Sequence, residues 1–414
     1  MVASTDIKFY VHTNTNAPQL QNAFGCMIDV LDACLINGFG AQTVATLTAS
    51  GTTVTATFGS AHNFMQYQVI KITGAAQTEF NGEHRILTVP NANSITFQLA
   101  AAPSVTTATG TIVCSLPPLG WLKPFSGTGK AAYRSSNTLL ASRPYLRVVD
   151  ALDPAYTATY AKYAKVGIVE DMTDIDTMLG VQAPYDSANP NKNWVGTGSG
   201  TSAINGWARW YYTNSSTFTA SSSDVNASAS GSRSWVLVGN SDYFYILPTA
   251  IPSNNYALCY GFGGFEPLLN SDQSTNFLSA TFNYVAASTN FFKGTFTGGA
   301  GTDANQKVII QRLYNQTTQY AESKTISLGA ASSINSGSSN YIGASALNNI
   351  SPFAPVFLNE AVLRGKLPNL YWLFQNKPYA NYGVFENNSE LFLAVYCASG
   401  TTSEGQIVLK IGEL

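Results

Sequence analysis

Between residues 41 and 115 six short runs rich in β-branched residues follow one another at nearly even spacing: VATLTAS, TTVTATFG, YQVIKITG, HRILTV, SITFQLA and TGTIVCS. Ser50-Gly51, Thr73-Gly74, Asn81-Gly82 and Asn91-Ala92-Asn93 punctuate them. Val, Ile, Thr and Phe suit a pleated, half-buried surface, and Gly and Asn supply turn conformations. Strands this short bury their apolar faces by pairing with one another. The spacing therefore predicts a self-contained small sandwich or barrel over residues 41–115.

The same β-type signals continue through most of the chain. LGWLKPFSGTGKAAYRS, RPYLRVVDA and AKVGIVEDMTDID, between Leu119 and Asp176, read as three strand-like pieces carrying Trp121, Phe125, Tyr133, Tyr145 and Val166. SWVLVGN and DYFYILPTA read as a hairpin turning near Asn240-Ser241. Its residues Trp235 and Leu237 fall on one face and Val236 and Val238 on the other, so both faces are expected to be covered. FLSATFNYVAAS, FFKGTFTG, KVIIQRLYNQ and YAESKTISLG also read as strands. PVFLNEAVLRGKLPNLYWLFQ is expected to hold a strand followed by a turn at Gly365-Lys366-Leu367-Pro368, and SELFLAVYCAS and GQIVLKIGEL to close the chain as two strands. The Ser/Asn/Gly-rich tracts at 184–234 and 329–350 read as loops or linkers.

One segment has helical periodicity. Leu20, Phe24, Met27, Leu31 and Leu35 form an apolar stripe between Gln19 and Asn37, and Asn37-Gly38 supplies a stop. With Ile7, Phe9 and Val11 alternating before it, residues 1–40 are expected to give a strand and an amphipathic helix belonging to the main body. Residues 41–115 are then an inserted small β module, and 116–414 a main β-rich body, divisible near 184–234. The expected fold class is mainly β, a sandwich-rich body with one N-terminal helix.

Charge narrows the function classes. Charged residues make up 11% of the chain and the net charge is −2, against roughly 25% charged in ordinary soluble domains. Lys and Arg are scattered, so no basic stripe marks a nucleic-acid partner. No window is long and apolar enough for a membrane helix, so membrane insertion is not expected. The MVASTDIKFYVHT start lacks a basic region followed by an apolar core, so secretory export is not expected. The five cysteines (Cys26, Cys34, Cys114, Cys259 and Cys397) lack metal-like spacing and read as buried reduced thiols.

Candidate chemistry is sparse. Glu170, Asp171, Asp174 and Asp176 form the one dense carboxylate group. Their spacing is not that of an EF-hand loop, and neighbours in sequence do not by themselves straddle a glycosidic bond. The alternative is a solvated loop with turn-capping roles. His12, His62 and His84 have no Ser or Asp partners at triad-like positions, and Gly261-Phe262-Gly263-Gly264 lacks the Lys and helix of a phosphate loop. No catalytic residue, cofactor or metal site is assigned, and the chain reads as non-enzymatic. The remaining candidates are aromatic: Trp194, Trp207, Trp210, Tyr211 and Tyr212. Rings beside Asn and Ser suit core or subunit-interface packing, or stacking on a glycan.

Two resemblances bear on function. The segment from Ala61-His62-Asn63-Phe64 through Val69–Gly74, Phe80-Asn81-Gly82 and Ile86–Val89 to Ser94–Phe97 resembles the small immunoglobulin-like β modules inserted into phage tail and virion proteins. Trp121, Lys123-Pro124-Phe125, Lys130, Tyr133-Arg134 and Tyr145–Val148 are similar to a segment that follows such a module in uncharacterised tailed-bacteriophage structural proteins. The resemblance implies a virion component, tail- or baseplate-associated, assembled in the host bacterial cytoplasm. It implies assembly as a homo-oligomer with other virion proteins and no active site. The alternatives are a capsid decoration protein and a glycan-binding, tailspike-like adhesin contacting a host surface glycan. A third reading is a glycan-degrading enzyme using Asp171, Asp174 or Asp176.

Overall fold

A computed structural model describes residues 2–215, 225–252, 257–282, 308–317, 353–359, 362–373, 378–399 and 403–414. The fold is mainly β: the described residues form three antiparallel sheets, one closed six-stranded barrel and one short helix near the N-terminus. The sequence runs at 283–307 and 318–352 lie outside the described residues.

The central sheet has the strand order Lys8–Val11, Trp235–Gly239, Tyr243–Pro248, Tyr260–Gly264, Asn276–Ser279, Val308–Ile310. Side chains alternate across a strand, and here both sets are apolar. Tyr10, Trp235, Leu237, Phe244, Ile246, Tyr260 and Leu278 face one core. Phe9, Val11, Val236, Val238, Tyr245, Leu247 and Phe277 face a second. The hairpin expected at 234–250 forms, with Val236 opposite Leu247 and Val238 opposite Tyr245. Asn240 and Tyr243 close its turn through a 2.9 Å backbone bond.

On one side lies a sheet ordered Thr281–Phe282, Ala208–Thr213, Lys162–Met172, Tyr145–Val149, Lys130–Arg134, Leu122–Gly127, with Met178–Ala183 also pairing to Lys162–Met172. The first of the three pieces expected there is itself a hairpin, Leu122–Gly127 with Lys130–Arg134. Ala131, Tyr133, Leu146, Val148, Val166 and Ile168 point into the first core. The C-terminal sheet covers the opposite side, sending Val356, Leu370, Leu393, Val395, Ile407 and Leu409 into the second core. Its longest pairing joins the expected closing strands Glu390–Ser399 and Ser403–Glu413. The body is therefore a stack of three layers.

The expected turn at Gly365–Pro368 is not a reversal. Those residues sit inside the strand Leu363–Leu373, and the register against Phe353–Asn359 slips there. Pro368 has no N–H to give the ladder, and Asn369 takes a left-handed φ of 54°. The two produce a bulge in place of a turn.

Phe39–Ser50, Thr53–Phe58, Ser94–Gln98, Gly82–Asn91, Val69–Ala75 and Gly110–Leu116 close into the barrel in that order. Of the two shapes expected, hydrogen bonding closes the barrel, not the two separate sheets of an immunoglobulin-like sandwich. Leu47, Val54, Ile72, Ile86, Ile95, Phe97 and Cys114 fill it. Gly74 and Gly110 lean on each other across the seam, and a Cβ on Gly74 would lie 2.0 Å from the Thr111 carbonyl.

The N-terminal helix is shorter than its apolar stripe. An α-helical turn runs Cys26–Leu31 and continues as a π-helix over Asp32–Asn37, ending at Gly38 as expected. Residues 19–25 are not helical. Leu20 makes a β-bridge to Arg233, and Gly25 takes φ 95°, which no helix interior accepts. Burial drives Leu20 and Met27 inward equally, so periodicity alone did not mark the start.

The helix joins barrel to body. Its Cys34 carbonyl accepts from the Leu119 N–H and its Leu35 carbonyl from Gly120 and Trp121. Arg85, buried in the barrel, donates to the carbonyls of Ser4, Tyr67 and Ile7. In the body, buried Arg364 donates from Nε to Asp272 at 2.7 Å and from Nη2 to its other oxygen at 3.0 Å. Removing one member of such a pair strands the other charge in the interior. Asp272→Asn is expected to lower unfolding stability by about 3–5 kcal/mol in urea titrations.

Candidate functional site

The outer face of the sheet holding Tyr145–Val149, Lys162–Met172 and Ala208–Thr213 carries a cluster of buried charges beside Trp194. Its geometry is that of an interior latch. Register places Arg147 opposite Gly167, and Lys165 between Val149 and Arg209. Arg147, Lys165 and Arg209 are all buried. Three cations on adjacent strands need compensation that water cannot give them. Asp153 supplies the central part, its Oδ2 lying 2.8 Å from Lys165 Nζ. Lys165 also donates to the Trp194 carbonyl at 2.6 Å. The Arg147 guanidinium lies 4.5 Å from the centre of the Trp194 ring, and that of Arg209 lies 4.8 Å from Tyr163. Arg147 also bonds the Ile175 carbonyl and Asp176, and Arg209 bonds the Gly206 carbonyl and the Tyr211 hydroxyl.

The groups bonded here fix the loops over the sheet. Asp153 Oδ2 also accepts from the Gly196 N–H at 2.8 Å, and its Oδ1 accepts from Ala155 at 3.0 Å. Buried Asn193 donates to the Val166 carbonyl and accepts from the Trp207 and Ala208 N–H groups. Burial alone would raise the Asp153 carboxyl, but Lys165 and these N–H donors outweigh it and hold it below its ordinary range. Burial pushes the Lys165 ammonium down, with Arg147 and Arg209 adding to the effect and Asp153 opposing it.

The five aromatics serve as interior packing in this chain. Trp194 and Trp207 are each 6% exposed, and Trp210, Tyr211 and Tyr212 are fully buried. Trp210 stacks on Tyr260 at 5.9 Å and donates its indole N–H to the Ser279 carbonyl, binding the outer sheet to the central one. Trp194 and Asp176 are brought together through Arg147, while Trp210 lies on the far side of the sheet in the first core. None of the five is an open stacking platform in this arrangement.

The carboxylates are not convergent. Glu170 pairs with Arg312 and accepts from the Val181 N–H. Asp174 caps its turn through the N–H groups of Asp176 and Thr177. Asp176 pairs with Lys130 and Arg147, and Asp171 accepts from the Met172 N–H. Among the described residues no group of three His, Cys, Asp or Glu side chains is placed to hold a metal, and none of the helices is long and apolar enough to cross a membrane. His62 accepts from the Phe64 N–H inside the barrel, and His84 bonds the Phe80 carbonyl and stacks on Phe97. Gly261–Gly264 runs within the strand Tyr260–Gly264. A Cβ on Gly261 would fall 2.6 Å from the Tyr245 ring, so glycine serves close packing there. All five cysteines are unpaired.

Asp150 occupies the junction of helix, outer sheet and core. Its Oδ2 accepts from the Met27 N–H at 2.9 Å and its Oδ1 from the Tyr212 hydroxyl at 2.6 Å. Burial raises this carboxyl to about 6, although Tyr212 and the N–H groups of Gly25, Met27 and Ile28 pull the other way. Reading the sequence passed over Asp150, Asp153, Arg147, Lys165, Arg209 and Asn193. The available signal was a charge inside an otherwise apolar strand, as in YLRVV and KYAKVGIV, because such a charge needs a buried partner.

No family model matches this sequence, and no curated protein matches it either. Among solved structures, the chain aligns with a phage phi92 endosialidase at 10% identity and a TM-score of 0.17, over 90% of this chain and 51% of that one. This chain thus spans about half the length of that structure, and at so low a TM-score the alignment carries no argument about fold or activity.

Two outcomes test the electrostatics. Asp153→Asn is expected to cost about 3–5 kcal/mol by denaturant unfolding, and Asp153→Asn with Lys165→Met markedly less, because the double change leaves no stranded ammonium. Asp150 has a raised folded pKa, so its contribution is full below its unfolded pKa and is lost as pH rises through about 6. Asn at 150 keeps the acceptor for Met27 and can donate to Tyr212, whose hydroxyl also reaches the Ala23 carbonyl. Between pH 4 and 7 the native chain should lose about 2 kcal/mol relative to Asp150→Asn. Parallel stability-versus-pH curves would contradict this.

Proposed function

We propose that this chain is a structural component of a tailed-bacteriophage virion, associated with the tail or baseplate, which acts by assembling with copies of itself and with other virion proteins. The observation that supports this reading is the surface. Leu139 is 91% exposed, Val195 55% and Leu268 51%, on a chain in which charged residues are only 11%. Low charge forfeits the mutual repulsion that keeps free proteins apart. Ordered contact with neighbours covers such a surface and removes the liability. The latched loops add to the case: Asp153, Lys165 and Asn193 hold the 150–160 and 193–208 segments in one arrangement before any partner arrives, which lowers the ordering cost of association. A capsid decoration protein would draw on the same surface. A glycan-binding reading based on Trp194 or Trp207–Tyr212 would require those buried rings to be uncovered.

Mass spectrometry of purified particles from the phage that encodes the chain is expected to find it in stoichiometric amount, with immunogold label against residues 41–115 on the tail. Label over the head would favour decoration, and absence from particles would overturn the proposal. Leu139→Asp with Leu268→Asp is expected to reduce incorporation while shifting stability by no more than about 0.5 kcal/mol per site, because both side chains are exposed.

A further inference from the structure

The loop 59–68, between the barrel strands Thr53–Phe58 and Val69–Ala75, seats the barrel on the N-terminal segment of the body. Its Asn63 carbonyl accepts from Asn14 Nδ2 at 2.8 Å, and its His62 carbonyl from Thr15 Oγ1 at 3.1 Å. Asn14 and Gln68 exchange amide bonds at 3.0 and 2.9 Å, and Gln68 also donates to the Phe9 carbonyl. Met65 and Tyr67 pack against the second core. Asn63 and Tyr67 take left-handed φ angles of 55° and 67°. Residues with a side chain rarely adopt that region, so the loop keeps this shape only while its bonds hold.

The His62 side chain ties this loop back to the barrel. Its ring is buried, stacked on Phe64 at 5.4 Å and tilted against Phe58 at 5.2 Å. Its Nδ1 accepts from the Phe64 N–H at 2.9 Å. A backbone N–H only donates, so Nδ1 carries no proton and Nε2 holds the ring's one hydrogen. Nε2 faces the Asn91 carbonyl at 3.2 Å and the Ser94 carbonyl at 3.4 Å. Both nitrogens are therefore committed in the neutral form. A proton on Nδ1 would point at the Phe64 N–H, donor against donor. Phe58, Asn91, Ala92, Ser94, Thr15 and Gln42 are the partners that neighbouring elements bring to this residue, and none is titratable or charged. Burial therefore lowers the pKa of the ring, with the Asn91 and Ser94 carbonyls opposing.

We propose that His62 is a proton-operated catch: when its imidazole takes up a second proton, residues 62–68 let go of the N-terminal segment and the barrel loosens on the body, whose central sheet stays intact. The other two histidines flank the same seat. His12 lies two residues before Asn14. His84 lies between Glu83, which pairs with Lys8, and Arg85, which donates to the Ser4 and Ile7 carbonyls. Burial disfavours the charged form of both, so acid acts in the same direction at all three. The open loop protonates near the ordinary 6.5 and the closed loop lower. The closed form is thus fully favoured above about pH 6.5 and loses ground as pH falls, by up to about tenfold per pH unit, until its own lower pKa is reached.

Two measurements on the full chain test this. Histidine-selective isotope labelling and NMR are expected to show the His62 ring as the Nε2–H tautomer at neutral pH, titrating below the ordinary 6.5. Amide exchange, corrected for the intrinsic rate at each pH, is expected to show the His62, Phe64 and Met65 amides opening up to about tenfold more readily per pH unit below about pH 6.5, while Val236–Val238 keep their protection. His62→Asn sets an oxygen where Nδ1 stands, able to accept from the N–H two residues on at any pH. At about pH 4.5 that variant should open the loop about tenfold less than the native chain does, and Asp150, common to both, cancels from the comparison. The inference is overturned by an Nδ1–H tautomer, by a His62 pKa at or above the ordinary value, by loop opening that ignores pH, by an equal response in His62→Asn, or by a central sheet that opens with the loop. Should His62→Asn fail to fold, the native chain decides: loop opening in step with the His62 titration supports the catch, and opening out of step overturns it.

Discussion

A sheet with apolar side chains on both faces cannot stand at a surface. The central sheet, with Leu237, Phe244 and Ile246 on one face and Val236, Val238 and Tyr245 on the other, requires a layer on each side. The outer sheet and the C-terminal sheet satisfy that requirement. At roughly 25 cal/mol per Å² of apolar area removed from water, the double burial is the largest favourable term available to the body. It also makes the order of assembly non-local, since Lys8–Val11 pairs with Trp235–Gly239 across more than half the chain.

The polar interior follows from the same geometry. Layers this closely packed leave loops crossing over the sheets, and those loops bring backbone groups and charges into the dry interior. Arg85 and Arg233 are satisfied mainly by carbonyls, Arg364 by Asp272, and Lys165 by Asp153. Each is a directional constraint that apolar packing cannot supply. Their worth lies in fixing one arrangement of the loops, because the desolvation of buried charges offsets much of their attraction.

Much of this architecture was legible in residue order. The alternation at 234–250 gave the hairpin and its two covered faces, because period-2 patterning reports directly on strand faces, and the even spacing at 41–115 gave a small self-contained β unit without deciding between sandwich and barrel. Local signals failed where tertiary contacts outweighed them. Leu20 has the helical spacing but pairs with Arg233, and Gly365–Pro368 has turn chemistry but is held in a strand by neighbours on both sides. For the site, sequence picked out Trp194 and Trp207–Tyr212 as a cluster, yet adjacency does not say what lies over a ring. Asp153 and Asn193, which decide that geometry, reach their partners across loops and carry no local pattern.

Amide hydrogen exchange measured residue by residue would test the central claim, that the doubly covered sheet is the part on which the rest of the body depends. If it is, the amides of Val236–Val238 and Tyr245–Leu247, on strands paired on both sides, exchange only through global unfolding and are the slowest in the molecule. The edge strand Leu122–Gly127 and the outer barrel strands open at lower cost and exchange faster. If the hairpin strands exchanged as fast as those edges, the central sheet would not be the body's core and the three-layer account would be wrong.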